Sequence, residues 1–160
     1  MAQQKTKLRW LPAIVWACFI FFMSAHSGGD LSSGMFGSVR ETLKAAIDSM
    51  IGYQDDPVSP LCHFLEYLIL GLLVAFALKG QMRSSHAFLL AVALASVYGV
   101  TDEIHQLFVP GRFCDPADWA TDTCGAILGA ALVLARSRSR VTARSDHATP
   151  AGSDDMEQLQ

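Results

Sequence analysis

The sequence predicts an all-α polytopic membrane protein with four transmembrane helices and an extracytoplasmic amphipathic helix. Two observations carry this. Charged residues are 17% of the chain, against about 25% in a typical soluble domain, and they lie between four long apolar runs. The basic residues, in turn, are divided unevenly among the segments joining those runs.

The runs cover residues 8–25, 61–78, 87–108 and 117–135, each near the roughly 20 residues that cross a hydrocarbon core of about 30 Å. The first follows Lys5, Lys7 and Arg9, as the core of a cleaved signal peptide would. Met23-Ser24-Ala25 is a poor cleavage site, crowded by Phe19, Phe21 and Phe22, and a retained helix is favoured. Pro12 falls in the first turn expected for that helix, where a missing N–H costs little.

Lys5, Lys7 and Arg9 precede the first run, Lys79 and Arg83 lie in the 79–86 loop, and Arg136, Arg138, Arg140 and Arg144 follow the last run. These are nine of the twelve basic residues; the other two loops hold only Arg40, Lys44 and Arg112. Positive-inside bias then puts both termini and the short middle loop in the cytoplasm of a bacterial inner (plasma) membrane. Three regions follow: a cytoplasmic tail at 1–7, a four-helix membrane domain at 8–135, and a disordered cytoplasmic tail at 136–160. The net charge of -3 and the lack of a basic stripe with interleaved aromatics argue against nucleic acid.

Within the extracytoplasmic segment 26–60, Leu31, Met35, Val39, Leu43, Ala46, Ile47 and Met50 fall near one helical face, opposite Arg40, Glu41, Lys44 and Asp48. That pattern suits an interfacial amphipathic helix or one that caps the bundle. Of the four cysteines, Cys18 lies in an apolar run, and one bridge among Cys62, Cys114 and Cys124 is possible, although the sequence gives no geometry for it.

With this topology the unusual polar residues converge on the outer side. His63 and Tyr67 are i, i+4 with Glu66 beside them, and Gly71 and Ala75 continue that face inward. Gly99, Glu103 and Gln106 form a stripe on the third run, with Asp102 adjoining. Carboxylates in an apolar helix are costly, and Arg112, past the Pro110-Gly111 turn, is a plausible partner for either. If the span ended at Thr101, these acids would be simple loop residues; apolar Ile104, Leu107, Phe108 and Val109 argue for a longer helix. On the fourth run Asp118, Asp122, Gly125 and Gly129 share a face, with Gly125-x-x-x-Gly129 as a close-packing surface. Asp115 and Asp118 also suit the positive end of a helix dipole as capping residues. The candidate pocket is thus His63, Glu66, Tyr67, Asp102, Glu103, Gln106, Arg112, Asp118 and Asp122, with Gly71, Gly99, Gly125 and Gly129 as packing positions.

These motifs resemble the VanZ-like family of integral membrane proteins over residues 18–132. The matching positions are Ser24, Ser27, Ser32 and Ser33; His63, Glu66 and Tyr67; Asp102, Glu103, Gln106 and Arg112; and Asp118, Asp122, Gly125 and Gly129. Many relatives look like R-K-x-x-H before the second span, where this chain has Ser59-Pro60-Leu61-Cys62-His63. The resemblance implies a link to the cell envelope and to glycopeptide-antibiotic resistance of the teicoplanin type, without implying a biochemical activity.

Three functional classes remain. A binding or accessory role would use the acidic mouth to hold a lipid-linked or cationic envelope ligand, or a partner protein. A membrane-embedded hydrolase or transferase would act on a lipid-linked precursor, with the carboxylates and histidine binding a divalent cation or supplying acid–base catalysis. A transporter would need an oligomer.

Overall fold

The computed structural model describes residues 2–26, 35–51 and 58–146, with side chains described for 6–26, 37–50 and 58–136. Leu31, Ser27, Ser32, Ser33 and the 147–160 tail lie outside the described residues. Among the described residues the chain forms five helices: α1 (Ala2–Ser24), α2 (Met35–Ile51), α3 (Val58–Leu78), α4 (Ser84–Gln106) and α5 (Pro116–Asp146).

Among the described residues, three helices are long and apolar enough to cross a membrane, through Thr6–Ser24, Val58–Leu78 and Ser84–Gln106. Their outward surfaces carry large apolar side chains that water would penalise: Leu8 is 68% exposed, Val97 64% and Leu89 62%. The fourth apolar run lies in α5, where Asp118, Asp122 and Arg136 dilute it.

Two boundaries differ from the sequence reading. Helix α1 starts at Ala2, which leaves Pro12 inside the helix and not in its first turn; the polar residues ahead of Leu8 include good helix formers and no breaker. Likewise α5 continues past Ala135 to Asp146, so the first part of the expected disordered tail is helical. No proline or glycine occurs between Arg136 and Asp146 to stop it.

The centre of the bundle is the contact between α3 and α5. A Cβ added at Gly71 would lie 2.7 Å from Ala126 Cα; one at Gly125 would reach 3.0 Å from Leu68 N, and one at Gly129 2.8 Å from Leu72 N. Each distance is below van der Waals contact with backbone, so the two main chains touch as small-x-x-x-small packing allows. Ala126 and Ala130 are fully buried beside them. On α4, Ala87, Ala91, Ala95 and Gly99 form a buried small-residue stripe that Tyr67, Leu70 and Val74 help cover.

Polar contacts fix α1 and α4. Trp16 Nε1 donates to Glu66 O at 2.9 Å, Tyr98 OH donates to Ala17 O at 2.6 Å, and the Phe21 and His105 rings stack 4.2 Å apart. Trp119 Nε1 donates to Ser96 O at 3.2 Å, and the Ser96 and Thr123 hydroxyls pair at 3.0 Å. At the opposite end from His105, Arg9 Nη1 donates to Lys79 O at 3.0 Å in the α3–α4 turn. Basic residues from the start of α1 and from that turn therefore share one end of the bundle.

Gly129→Ala is expected to lower stability in detergent by about 1–3 kcal/mol, because the added methyl meets unyielding backbone. Ile127→Ala, on the outward face of the same helix, should change it much less. Thermal unfolding of the two purified variants measures the difference.

Candidate functional site

Opposite the basic end, the end of α1, the start of α3, the end of α4 and the start of α5 meet. Both carboxylates of α4 lie inside the helix, which runs to Gln106. Asp122 is 0% exposed, Gln106 1%, Asp102 and Glu103 3%, and His63 6%. Burial this deep makes every unpaired charge costly, by several kcal/mol.

His63 stands between two aspartates of α5. Its Nδ1 lies 3.1 Å from Asp122 Oδ1, and its Nε2 lies 3.9 Å from the half-buried Asp118 Oδ2. The spacing of Asp118 and Asp122 puts both on the α5 face that packs against α3. Gly99 on α4 leaves the room: a Cβ there would lie 3.3 Å from Asp122 Oδ2 and 3.4 Å from Tyr67 Cε1.

Glu103 faces the start of α5. Its Oε2 accepts the Asp115 backbone N–H at 2.7 Å, while Asp115 Oδ1 accepts the Ala117 N–H at 2.8 Å. Asp115 is therefore an N-cap ahead of Pro116. Glu103, from another helix, takes the part that an N3 glutamate plays in a capping box, and both carboxylates lie at the positive end of the α5 dipole. The adjacent Asp102 points elsewhere, since successive helical residues do not share a face. Its Oδ2 accepts from Gln106 Nε2 at 3.4 Å, and buried Ser24 approaches it from α1.

Arg112 differs from the sequence reading. It forms no ion pair with Asp102 or Glu103 among the described residues; its Nε and Nη2 donate to His26 O, at 3.4 and 3.3 Å. The reason is the Pro110-Gly111 turn, where Gly111 has φ 78° and Arg112 N donates to Val109 O at 3.1 Å. That turn carries Arg112 toward the end of α1, whose last carbonyls lack helical partners. Five buried oxygens stay without a hydrogen-bond partner among the described residues: Ser24 Oγ, Tyr67 OH, Asp102 Oδ1, Glu103 Oε1 and Asp122 Oδ2.

A cavity of about 240 Å³ opens beside this cluster. Glu66, Asp102, His63, Gln106 and Arg112 line it, together with residues that the sequence reading left out: Met23, Val39, Arg40, Leu43, Val58, Ser59 and Cys62. Val39, Arg40 and Leu43 come from α2, which thereby lies over the end of the bundle, and a Lys44–Asp48 pair at 3.3 Å sits on the same helix. The amphipathic pattern marked α2 as a face seeking a partner, but not which partner. Tyr67 and Glu103, and both aspartates of α5, lie behind the cavity and not on its wall. All four cysteines are free, so the bridge left open among Cys62, Cys114 and Cys124 does not form.

The comparison with protein families agrees with the polar motifs and the helical architecture. The VanZ/LLP1 family profile matches residues 9–137, which spans α1 to the middle of α5. The chain belongs to the VanZ/LLP1 family. Neither the curated proteins nor the solved structures contain a match. For this VanZ/LLP1 chain, the chemistry must therefore be argued from its own residues. The cluster offers a histidine between carboxylates, unpaired acceptors, and an apolar-sided cavity with two guanidinium groups on its wall.

Proposed function

We propose that this VanZ/LLP1 chain is a bacterial plasma-membrane protein with four spans, the fourth being residues 117–135 of α5. Both termini are cytoplasmic, and α2 lies at the outer interface. Its cavity binds the headgroup of a lipid-linked envelope precursor, in a binding or accessory role. Any contribution to glycopeptide resistance would pass through that ligand.

The observation behind the proposal is the make-up of the cavity wall. Val39, Leu43 and Val58 suit an acyl or isoprenoid stem, while Arg40 and Arg112 suit a phosphate or carboxylate. Glu66 and Asp102 face the same space and suit the hydroxyl or amine donors of a sugar or peptide head. Pairing supports the fourth span: of the acids that dilute α5, Asp122 is buried against His63 and Asp118 is half-buried beside it, a setting in which membrane charge is tolerated. The basic residues gathered at the Arg9–Lys79 end support the orientation.

Topology is tested in a cysteine-free background in intact cells. Single cysteines placed at Arg112 and Asp55 should react with an impermeant maleimide, and one at Arg83 only after lysis. Labelling at Arg83 from outside would reverse the assignment.

Ligand binding is read by lipid-resolved native mass spectrometry of the full chain extracted in mild detergent. The wild type should retain a phosphorylated envelope lipid, and Arg112→Ala should reduce its occupancy about tenfold or more, the worth of a charge-assisted contact. Glu66→Gln should reduce it as well, whereas removing residues 147–160 should not. Retention of bulk phospholipid alone, indifferent to these substitutions, would refute the reading. A hydrolase or transferase is the second reading, favoured by buried His63 on the cavity wall with Glu103 and Asp122 behind it. Turnover of the retained lipid that depends on a divalent cation separates it from simple binding.

A further inference from the structure

Where His63 lines the cavity, one donor atom each from His63, Glu103 and Asp122 lie within 4.8 Å of one another. They come from three separate helices, and all three side chains are more than nine-tenths buried. We infer that they form a zinc-type divalent metal site, built of one imidazole nitrogen and two carboxylate oxygens.

Three features point to a cation. First, the donor set is that of a three-ligand zinc centre with an open fourth position; donors bonded at roughly 2.0–2.2 Å lie about 3.4 Å apart around a tetrahedron. His63 Nδ1 and Asp122 Oδ1 are 3.1 Å apart, close to that spacing, and a Glu103 oxygen lies within 4.8 Å of both residues' donors. Second, the wiring leaves acceptors over. Glu103 Oε2 is held by the Asp115 N–H, whereas Glu103 Oε1 and Asp122 Oδ2 have no partner among the described residues despite full burial. A cation removes that cost. Third, the outward nitrogen of His63 faces Asp118 Oδ2 at 3.9 Å. A metal-bound histidine commonly donates its other N–H to a carboxylate, which fixes its tautomer and orientation.

An imidazole with two carboxylates favours zinc or manganese over magnesium or calcium, which prefer oxygen alone. The competing arrangement is a protonated His63 that bridges Asp118 and Asp122 with no metal. The two differ in protons as well as metal, because binding requires a neutral imidazole and sends the Nδ1 proton to solvent. His63 borders the cavity as well as the site, but zinc uptake and lipid retention are separate measurements, so each idea fails on its own.

The test uses full-length protein in detergent, stripped with a chelator and titrated calorimetrically with zinc chloride. The wild type should bind about one zinc per chain, with proton release and a raised Tm. His63→Gln and Asp122→Asn should weaken binding at least about tenfold, and Asp118→Asn should weaken it by about 10–100-fold with stoichiometry intact. Glu41→Gln, on the exposed side of α2, should leave it unchanged. Cobalt substituted for zinc should give ligand-field bands without thiolate charge transfer, a readout on wild type that needs no variant to fold. Absence of saturable zinc uptake by the wild type would overturn the proposal. So would uptake unaffected by the His63 and Asp122 substitutions, or a thiolate band assigning the metal to the free cysteines.

Discussion

The close approach of α3 and α5 is the constraint on which the site depends. Gly71, Gly125 and Gly129 let two main chains meet where any side chain would separate them. One or two turns beyond that seam, the same faces carry His63 and Asp122. Their 3.1 Å contact is thus a consequence of backbone spacing: a methyl in the seam would pry the pair apart before touching either residue. Tyr67 and the gap left by Gly99 extend the arrangement to α4.

The electrostatics follow from that placement. An acid buried in an apolar bundle must find an imidazole, another hydrogen-bond donor or a helix end, and this chain uses all three. Asp122 has His63. Glu103 has the start of α5, where an N-terminal amide and the helix dipole both favour negative charge. Asp102 has Gln106 as its donor and retains an unpaired oxygen. Arg112, the nearest obvious counter-charge in sequence, is instead turned to the His26 carbonyl. It thereby ties the 107–115 loop to the end of α1, and the cavity gains cationic as well as acidic lining.

Much of this was legible in the sequence because it rests on local periodicity and on desolvation. The i, i+4 spacing of His63 and Tyr67 and of Asp118 and Asp122, with glycines continuing each face, pointed to helices that pack on those faces. They do. Carboxylates at 102 and 103 amid apolar neighbours announced a buried site. What could not be read depends on where loops carry a residue. Only the Gly111 turn decides that Arg112 reaches His26, and only the tertiary placement of α2 decides that Arg40 meets the cavity. Helix ends were also obscured. Polar residues at 2–7 and 136–146 look like tails by composition, yet nothing in them interrupts a helix already begun. The acids of α5 lower its apolarity while their partners sit on α3 and α4, so its burial is a tertiary fact.

The most direct measurement is a double-mutant cycle on His63 and Asp122, using His63→Ala, Asp122→Ala and the pair in metal-free detergent. Reversible unfolding should give a coupling energy of about 1.5–3 kcal/mol, as for a buried charge-assisted hydrogen bond. Substitution effects that add to within about 0.5 kcal/mol would mean that the seam does not bring the two side chains together, and would contradict the account.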